Sequence, residues 1–170
     1  MGITIWNCGG NNAPARYPGV ATAEAEKSLT SPSGPSSVVE RMGLLEGQLL
    51  LEVGEDADCD GELRQAIEAR VGSKLLADES DEVVDAVLLW FRDGDGDLVD
   101  ELVDALTFLS ETGPIWLMVP KVGTAGHVDP SDIQDAAPTA GLTLAGTFLA
   151  TPAWTATKLV PRKAGATKAR

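Results

Sequence analysis

The sequence predicts an α/β fold in which helices cover both faces of a mainly parallel sheet that ends in an antiparallel hairpin. Two observations predict it. Short apolar runs alternate with segments of helical period, and the central run DAVLLWF is apolar at six consecutive positions. Strand–helix alternation favours a three-layer sandwich, and a continuous apolar run is typical of a parallel strand covered on both faces. The last two runs have no helical segment between them, so they should pair as a hairpin at the edge.

The first predicted elements are a short helix and a buried strand. SSVVERMGLL has helical character, with Ser36 or Ser37 as its cap and Gly43 at its end. The run QLLLEV is a strand that lies between Gly47 and Gly54. A short apolar run bounded by glycines is consistent with a buried strand.

A second helix and a candidate short strand follow. In DGELRQAIEARVG, the residues Leu63, Ile67 and Val71 share one helical face. Asp60 suits the N-cap because its carboxylate can accept a backbone N–H of the first turn, and Gly72 suits the C-terminus. SKLL, directly after this helix, is a candidate for a short second strand.

The second half of the chain repeats the alternation. After DAVLLWF and the turn RDGDGD comes DLVDELVDALTFLSETG, whose leucines form a helical stripe. PIWLMV is a buried strand ending at Pro120, and DPSDIQDAAPTAG is a helix with Asp129 or Ser131 as cap and Pro130 in its first turn. LTLAGTFLAT and TATKLVPRK are the closing strands, joined at TPAW. This order of elements is that of a small Rossmann-like domain.

Three segments are predicted along the chain. Residues 1–36 are rich in Gly, Asn, Ala, Pro and Ser and show no persistent period, so we expect a disordered N-terminal extension. Residues 37–163 form the Rossmann-like domain. Residues 164–170 are expected to be a basic disordered tail.

The charge of the chain bears on its partners and its compartment. With 13 basic and 26 acidic residues the formal charge is −13, and residues 46–111 hold 20 acids against 4 bases. Nucleic acids and anionic membrane surfaces are disfavoured because both are bound through concentrated Lys and Arg. Another protein, with a basic surface, is the expected partner. Two cysteines in unlike contexts, the lack of a membrane-length apolar run and the lack of a secretory leader predict a cytoplasmic protein.

The candidate site is the crevice at the carboxyl ends of the strands, where open α/β sheets bind their ligands. The segments that follow these ends are GEDADCDG, RDGDGD and PKVGTAGHVD, and two of the three are acidic. The residues predicted to line a substrate or partner cleft are Trp90, Asp93, Asp95, Lys121 and His127. No catalytic residue is predicted. A histidine placed like His127 can act as a general base, but no nucleophile motif accompanies it.

GEDADCDGELRQAIE resembles the start of a calcium loop. Counted from Asp56, acids occupy positions 1, 3 and 5 and a glycine position 6, but position 12 is Ile67, where an EF-hand needs a bidentate Glu. No metal site is therefore predicted in this loop. A weak divalent-metal site stays open as an alternative, and it would be built from Asp56, Asp58, Asp93 and Asp95.

The same loop occupies the place of a cofactor loop, after a first strand and before the next helix. Between Gly54 and Gly61 it carries four acids, which would repel a pyrophosphate by like charge. NAD, FAD and ATP are therefore disfavoured, and no cofactor is predicted. S-adenosylmethionine carries a sulfonium cation, so an acidic crevice is less hostile to it. In that alternative, Gly54 and Asp56 would lie near the cofactor. Lys121 or His127 would then lie near the substrate.

Several segments together resemble a known family: GLLEGQLLLEVGED, DEVVDAVLLWFRDGDGDLVDELVDALTFLSETGPIWLMVPK, GHVDPSDIQDAAPTAGL and WTATKLVPRK. They are similar to the small actinobacterial proteins of the domain of unknown function 3052 family, from about Val38 to Lys163. The resemblance implies no activity, since none is established for that family. More distantly, the element order resembles a shortened class I methyltransferase. The segment between Gly72 and the central strand is too short for a full third strand and its helix.

The sequence thus favours a non-catalytic Rossmann-like module, a regulatory or protein-interaction protein whose acidic face recognises a partner. This expectation depends on three observations: a cofactor loop with acids in place of glycines, no coherent catalytic set, and a dense acidic segment. The alternative is a reduced S-adenosylmethionine-dependent enzyme. The second alternative is the weak divalent-metal-binding protein described above.

Overall fold

A computed structural model describes residues 34–77 and 80–162. The helices of this part are α1 (Pro35–Met42), α2 (Gly61–Val71), α3 (Leu98–Phe108) and α4 (Pro130–Thr139), and its strands are β1 (Leu50–Val53), β2 (Ala86–Trp90), β3 (Ile115–Pro120), β4 (Leu142–Leu149) and β5 (Trp154–Pro161). The predicted tail over 164–170 lies outside the described residues, as does the predicted extension up to residue 33. The last residues of that extension belong instead to α1.

The five strands form one mixed sheet in the order β1-β2-β3-β5-β4. The pairs β1–β2 and β2–β3 are parallel, and β5 is antiparallel to both β3 and β4. The predicted mainly parallel sheet with a C-terminal antiparallel hairpin is therefore confirmed. Because β5 inserts between β3 and β4, the first strand of the hairpin is the outer edge. The β4–β5 turn lies beside the carboxyl end of β3, since Trp154 pairs with Pro120.

Helices cover both faces of the sheet, which confirms the three-layer sandwich. Apolar residues of α1 and α2 share one buried cluster with Leu88 and Trp90, and apolar residues of α3 and α4 share another with Val87 and Leu89. Successive residues of β2 thus face opposite layers, as the pleat of a strand requires. This two-sided burial explains why the central run is apolar throughout.

The predicted second strand is reduced to one residue. Of SKLL, only Leu76 joins the sheet, through an isolated parallel bridge to Leu51. Its N–H donates to the Leu50 carbonyl (2.9 Å), and its carbonyl accepts the Glu52 N–H (2.8 Å). A run of two leucines after two polar residues is too short for a strand of ordinary length.

The helix ends follow the predicted signals at α2 and depart from them at α1. The Asp60 side chain accepts the Leu63 N–H at 2.9 Å, and Gly72 ends α2 in the left-handed conformation. In α1 the predicted serine cap is wrong. Gly34 holds the N-cap position with no side-chain hydrogen bond, and Pro35 starts the helix, because the fixed φ of proline suits the first turn.

In the part of the chain that the structure describes, no helix combines the length and the apolar character needed to cross a bilayer.

Candidate functional site

The segments at the carboxyl end of the sheet converge on one side chain, the guanidinium of Arg92. Its Nε donates to Asp58 Oδ2 (2.9 Å) and its Nη2 donates to Asp58 Oδ1, so the carboxylate is bound at both oxygens. Nη1 donates to the Gly54 carbonyl at 3.1 Å. A residue that follows β2 thus holds the loop that follows β1.

The remaining contacts of Arg92 bind its own turn and the hairpin. Nη1 lies 3.4 Å from Asp95 Oδ2, which also accepts the Arg92 backbone N–H at 2.9 Å. Nη2 lies 3.4 Å from Cys59 Sγ. The guanidinium carbon stands 5.1 Å from the ring centroid of Trp154, within the range of a cation–π contact. The Trp154 indole N–H donates to the Asp58 carbonyl at 3.2 Å, which closes the arrangement.

The electrostatics of this group follow from its geometry. The hydrogen bonds from Arg92 hold the pKa of the Asp58 carboxyl below its ordinary value of 3.8. The same hydrogen bonds raise the pKa of Arg92. Both side chains are therefore charged at neutral pH and form an ion pair. Burial raises the pKa of the adjacent Cys59 thiol, which keeps it in the thiol form.

A second ion group lies beneath the first and fixes β1 to its neighbours. The carboxylate of Glu52 is buried on β1 and accepts the Trp90 indole N–H at 2.9 Å and Arg64 Nη2 at 2.7 Å. Arg64 also reaches Glu55 at 2.7 Å, and the hydrogen bond from Glu52 raises the pKa of Arg64. Glu52 thereby connects β1 to both α2 and β2.

Gly54 has a structural reason to be glycine. Its φ is +74°, a region that L-residues with a Cβ rarely adopt. A Cβ at this position would stand 2.2 Å from the Trp90 carbonyl oxygen. The close approach of the β1–α2 loop to β2 therefore excludes any side chain at residue 54.

A polar cleft of about 330 Å³ opens between the ends of β1 and β2. Its lining includes Gly54, Asp56, Trp90, Arg92 and Asp95. This is where sheets of this architecture bind their ligands. The cleft thus brings together four of the residues predicted from the sequence, namely Gly54, Asp56, Trp90 and Asp95. Of these, Trp90 is only 1% exposed. Its indole packs edge-on against that of Trp154, with 4.8 Å between the ring centroids.

The other predicted residues lie outside that lining. Asp93 is exposed, and its backbone N–H donates to the Gly126 carbonyl at 2.9 Å, so the loops after β2 and β3 touch. Lys121 is exposed, and its backbone N–H donates to the Ala153 carbonyl. His127 is half-buried with Nδ1 3.1 Å from the Pro120 carbonyl, and it lines a separate pocket.

The geometry also bears on the divalent-metal alternative. The two acidic loops do meet, as that alternative requires, but Arg92 lies between Asp58 and Asp95 and binds both. Within residues 34–77 and 80–162, no three His, Cys, Asp or Glu side chains are grouped so that they could hold a metal ion. The guanidinium of Arg92 thus occupies the position where that alternative would place the metal ion.

Sequence reasoning missed Glu52, Arg64 and Arg92. The signal for the arginines was present in the charge pattern. Residues 46–111 hold only 4 bases against 20 acids, and Arg64 and Arg92 are the two that flank the predicted crevice loops. Basic residues that are rare in an acidic segment are expected to carry ion pairs, because each has many carboxylates within reach.

Comparison with known proteins places the chain in a family. The family described as Protein of unknown function (DUF3052) matches residues 39–163. The chain belongs to this DUF3052 family. Uncharacterized proteins of Mycobacterium tuberculosis (strain H37Rv) and Mycobacterium bovis are each 44% identical to it over 148 residues, which cover 87% of this chain and 93% of each relative. The resemblance that the sequence suggested is thus confirmed.

Solved structures with a similar fold include methyltransferases. A SAM-dependent methyltransferase from Aquifex aeolicus is similar with a TM-score of 0.51 and 15% identity, over 81% of this chain and 97% of that one. A 1,6-didemethyltoxoflavin-N1-methyltransferase from Burkholderia thailandensis was solved with bound 1,6-didemethyltoxoflavin and S-adenosylhomocysteine. It is similar with a TM-score of 0.51 and 10% identity, over 90% of this chain and 94% of that one. At such identities the likeness shows the fold alone, which is methyltransferase-like.

Proposed function

We propose that this protein is a non-catalytic Rossmann-like module that acts through protein contacts, as a regulatory or interaction protein with an acidic recognition face. The observation that carries the proposal is the position of Arg92. Its guanidinium lies in the crevice where the fold binds ligands, held by Asp58, Asp95 and the Gly54 carbonyl.

The fold implies S-adenosylmethionine as a cofactor, and the residues of the crevice fit that molecule poorly. The Gly54 carbonyl and the Asp58 carboxylate already accept hydrogen bonds from Arg92. A sulfonium cation placed beside them would bring a second positive charge close to the guanidinium, which like-charge repulsion disfavours. Moving Arg92 aside would break a charge-assisted bidentate pair, one of the stronger hydrogen-bonded arrangements.

The surface around the crevice suits a basic partner. We call Glu55, Asp56, Asp93 and Asp95 the acidic rim, and all four are exposed. Exposed charges of one sign steer a partner of opposite charge and set the orientation of the complex more than they add to its affinity. Such association weakens as salt screens it. The expected partner is therefore a protein with a Lys/Arg-rich surface, bound most strongly at low ionic strength.

An affinity capture from native lysate at low salt tests the proposal. The wild type is compared with two triple variants. The rim variant carries Glu55→Gln, Asp56→Asn and Asp93→Asn. The matched control carries Asp104→Asn, Asp132→Asn and Asp135→Asn, which remove the same charge from exposed residues of α3 and α4. We expect a reproducible partner that the rim variant loses and the control keeps. Capture of no reproducible partner, or equal loss in both variants, would refute the proposal.

The second candidate is a reduced S-adenosylmethionine-dependent enzyme, and the observation that favours it is the cleft between β1 and β2. It has about 330 Å³ and includes Gly54 and Asp56, and its volume lies at the small end of the range for ligand pockets. Calorimetric titration with S-adenosylmethionine and S-adenosylhomocysteine at millimolar concentration decides between the candidates. A saturable heat would replace the first proposal with this one, and no heat would remove it.

A further inference from the structure

A second pocket lies on the other side of β3, between α4 and the terminal hairpin. It has a volume of about 140 Å³, and its apolar walls include Val119, Val128, Ile133 and Leu144. Its lining also includes Val122, which is 66% exposed, so the pocket opens to solvent. A cavity of about 150 Å³ lined by apolar side chains is large enough to bind benzene. The space is thus of the size of one six-membered ring.

One polar group at the pocket has a defined role, the imidazole of His127. Its Nδ1 lies 3.1 Å from the Pro120 carbonyl oxygen, and a carbonyl can only accept. Nδ1 must therefore carry the hydrogen, which makes Nε2 the acceptor in the neutral ring. Among the described residues, no donor forms a hydrogen bond to Nε2. His127 is one of the residues that line the pocket, so its ring can offer this acceptor to a ligand hydroxyl.

The two hairpin strands add a hydroxyl pair. Thr147 on β4 and Thr157 on β5 line the pocket, and their Oγ1 atoms lie 3.1 Å apart. Only one hydrogen lies between two hydroxyl oxygens, so the other hydroxyl keeps a hydrogen for a further acceptor. Either threonine can keep that hydrogen, since both hydroxyls can donate in this contact.

We propose that this pocket binds a small uncharged aromatic alcohol, a molecule of the size and chemistry of phenol. The apolar walls take the ring, and the ligand hydroxyl donates to His127 Nε2. An ionised ligand is disfavoured because a charge without an ion partner is costly to bury among apolar walls. The site lies apart from the cleft beside Arg92 and does not depend on the function proposed there.

NMR titration of the methyl groups of Val128, Ile133 and Leu144 in the full-length protein tests the proposal, with phenol and benzene as probes. We expect saturable shifts with both, at about millimolar dissociation constants, as small fragments give. Phenol should bind about threefold to tenfold more tightly, because it makes one additional hydrogen bond. In the His127→Phe variant the advantage of phenol should disappear while benzene still binds.

A pocket-filling variant locates the binding. Leu144 is 37% exposed, so Leu144→Trp can be accommodated and should abolish binding of both probes. Leu45→Trp is the matched control, because Leu45 is 60% exposed and does not line the pocket; it should bind as the wild type does. Shifts that do not saturate in the wild type, binding that survives Leu144→Trp, or equal affinity for phenol and benzene would overturn the proposal.

Discussion

At the residue scale, two glycines with nearly the same φ distinguish the cost of backbone strain from the cost of a steric clash. Gly43 has φ +73° with nothing within 4 Å of an added Cβ, and Gly54 has φ +74° with the Trp90 carbonyl at 2.2 Å. We expect Gly43→Ala to lower the free energy of unfolding by about 1 to 2 kcal/mol, the cost of the left-handed conformation. Gly54→Ala should lower it by about 2 to 4 kcal/mol, because overpacking is added.

Urea denaturation of both variants measures the difference. The variants are matched in φ, so any excess for Gly54→Ala reports the contact with β2. Equal losses would mean that the strand pair moves apart at little cost, and the structural reason given for a glycine at residue 54 would then be withdrawn.

Asp58 makes stability depend on pH in a direction fixed by its ion pair. Its folded pKa lies below the ordinary value of 3.8 because Arg92 donates to it. The unfolded chain therefore takes up the proton first as the pH falls. The stabilisation is complete above the unfolded pKa and is lost as the pH falls through the folded pKa. From about pH 5 downward, the wild-type Tm should fall more steeply than that of Asp58→Asn.

Thermal unfolding across that range checks the pH prediction. Asp104→Asn removes one negative charge from an exposed residue of α3 and serves as the charge-matched control. If the curves of the wild type and Asp58→Asn ran parallel down to about pH 3, the ion pair with Arg92 would contribute nothing to folding.

At the element scale, Glu52 fixes β1 to α2 and β2 through Arg64 and Trp90. The Glu52 side chain is 5% exposed, whereas that of Glu55, the other partner of Arg64, is 51% exposed. Glu52→Gln should lower the free energy of unfolding by about 2 to 3 kcal/mol, because it removes the buried carboxylate of the pair and leaves Arg64 with the exposed Glu55 as its counter-charge. Glu55→Gln removes only a surface pair and should cost less than about 1 kcal/mol. Similar losses in denaturant titrations would contradict this ranking.

The helix caps offer a second matched pair among the elements. Asp60 and Asp129 both hold N-cap positions, but only Asp60 accepts a backbone N–H through its side chain. Asp60→Ala should destabilise by about 1 kcal/mol, a typical cost of a lost cap. Asp129→Ala should cost only a few tenths, since it loses the interaction with the helix dipole alone. Chemical denaturation compares them, and a larger loss at Asp129 would be the contrary result.

The elements were predictable from sequence because local patterns determine them. The runs around Leu88 and Leu117 are apolar throughout since both faces of their strands are covered, and the run around Leu51 departs from this at the buried Glu52. The exception was SKLL, where two apolar residues are too few to sustain a strand.

The site was predictable only in part. Its position followed from the topology of the sheet. Its central contact did not, because Arg92 and Asp58 are 34 residues apart and no local pattern encodes which carboxylate an arginine meets. His127 was assigned to the cleft because its loop follows β3. Its ring is instead hydrogen-bonded to the Pro120 carbonyl and lines the pocket between α4 and the hairpin.

At the scale of the whole domain, Arg92 joins segments that are distant in sequence. It contacts the loop after β1 through Asp58, its own turn through Asp95 and the hairpin through Trp154. Its Cβ also lies close to Gly126 in the loop after β3. The guanidinium cation of Arg92 thus links these four segments, and we expect the carboxyl end of the sheet to open as one cooperative unit.

Replacing that cation should loosen the end of the sheet as a unit. We expect Arg92→Met to lower the free energy of unfolding by about 2 kcal/mol, less than for a fully buried pair, because the Asp58 side chain is 55% exposed. Amide hydrogen exchange in residues 54–60, 91–97 and 151–154 should accelerate together. Arg70→Met is the control, since Arg70 donates to the Leu44 carbonyl at the far end of α2. Exchange that rises in the 91–97 turn alone would show that the segments open independently.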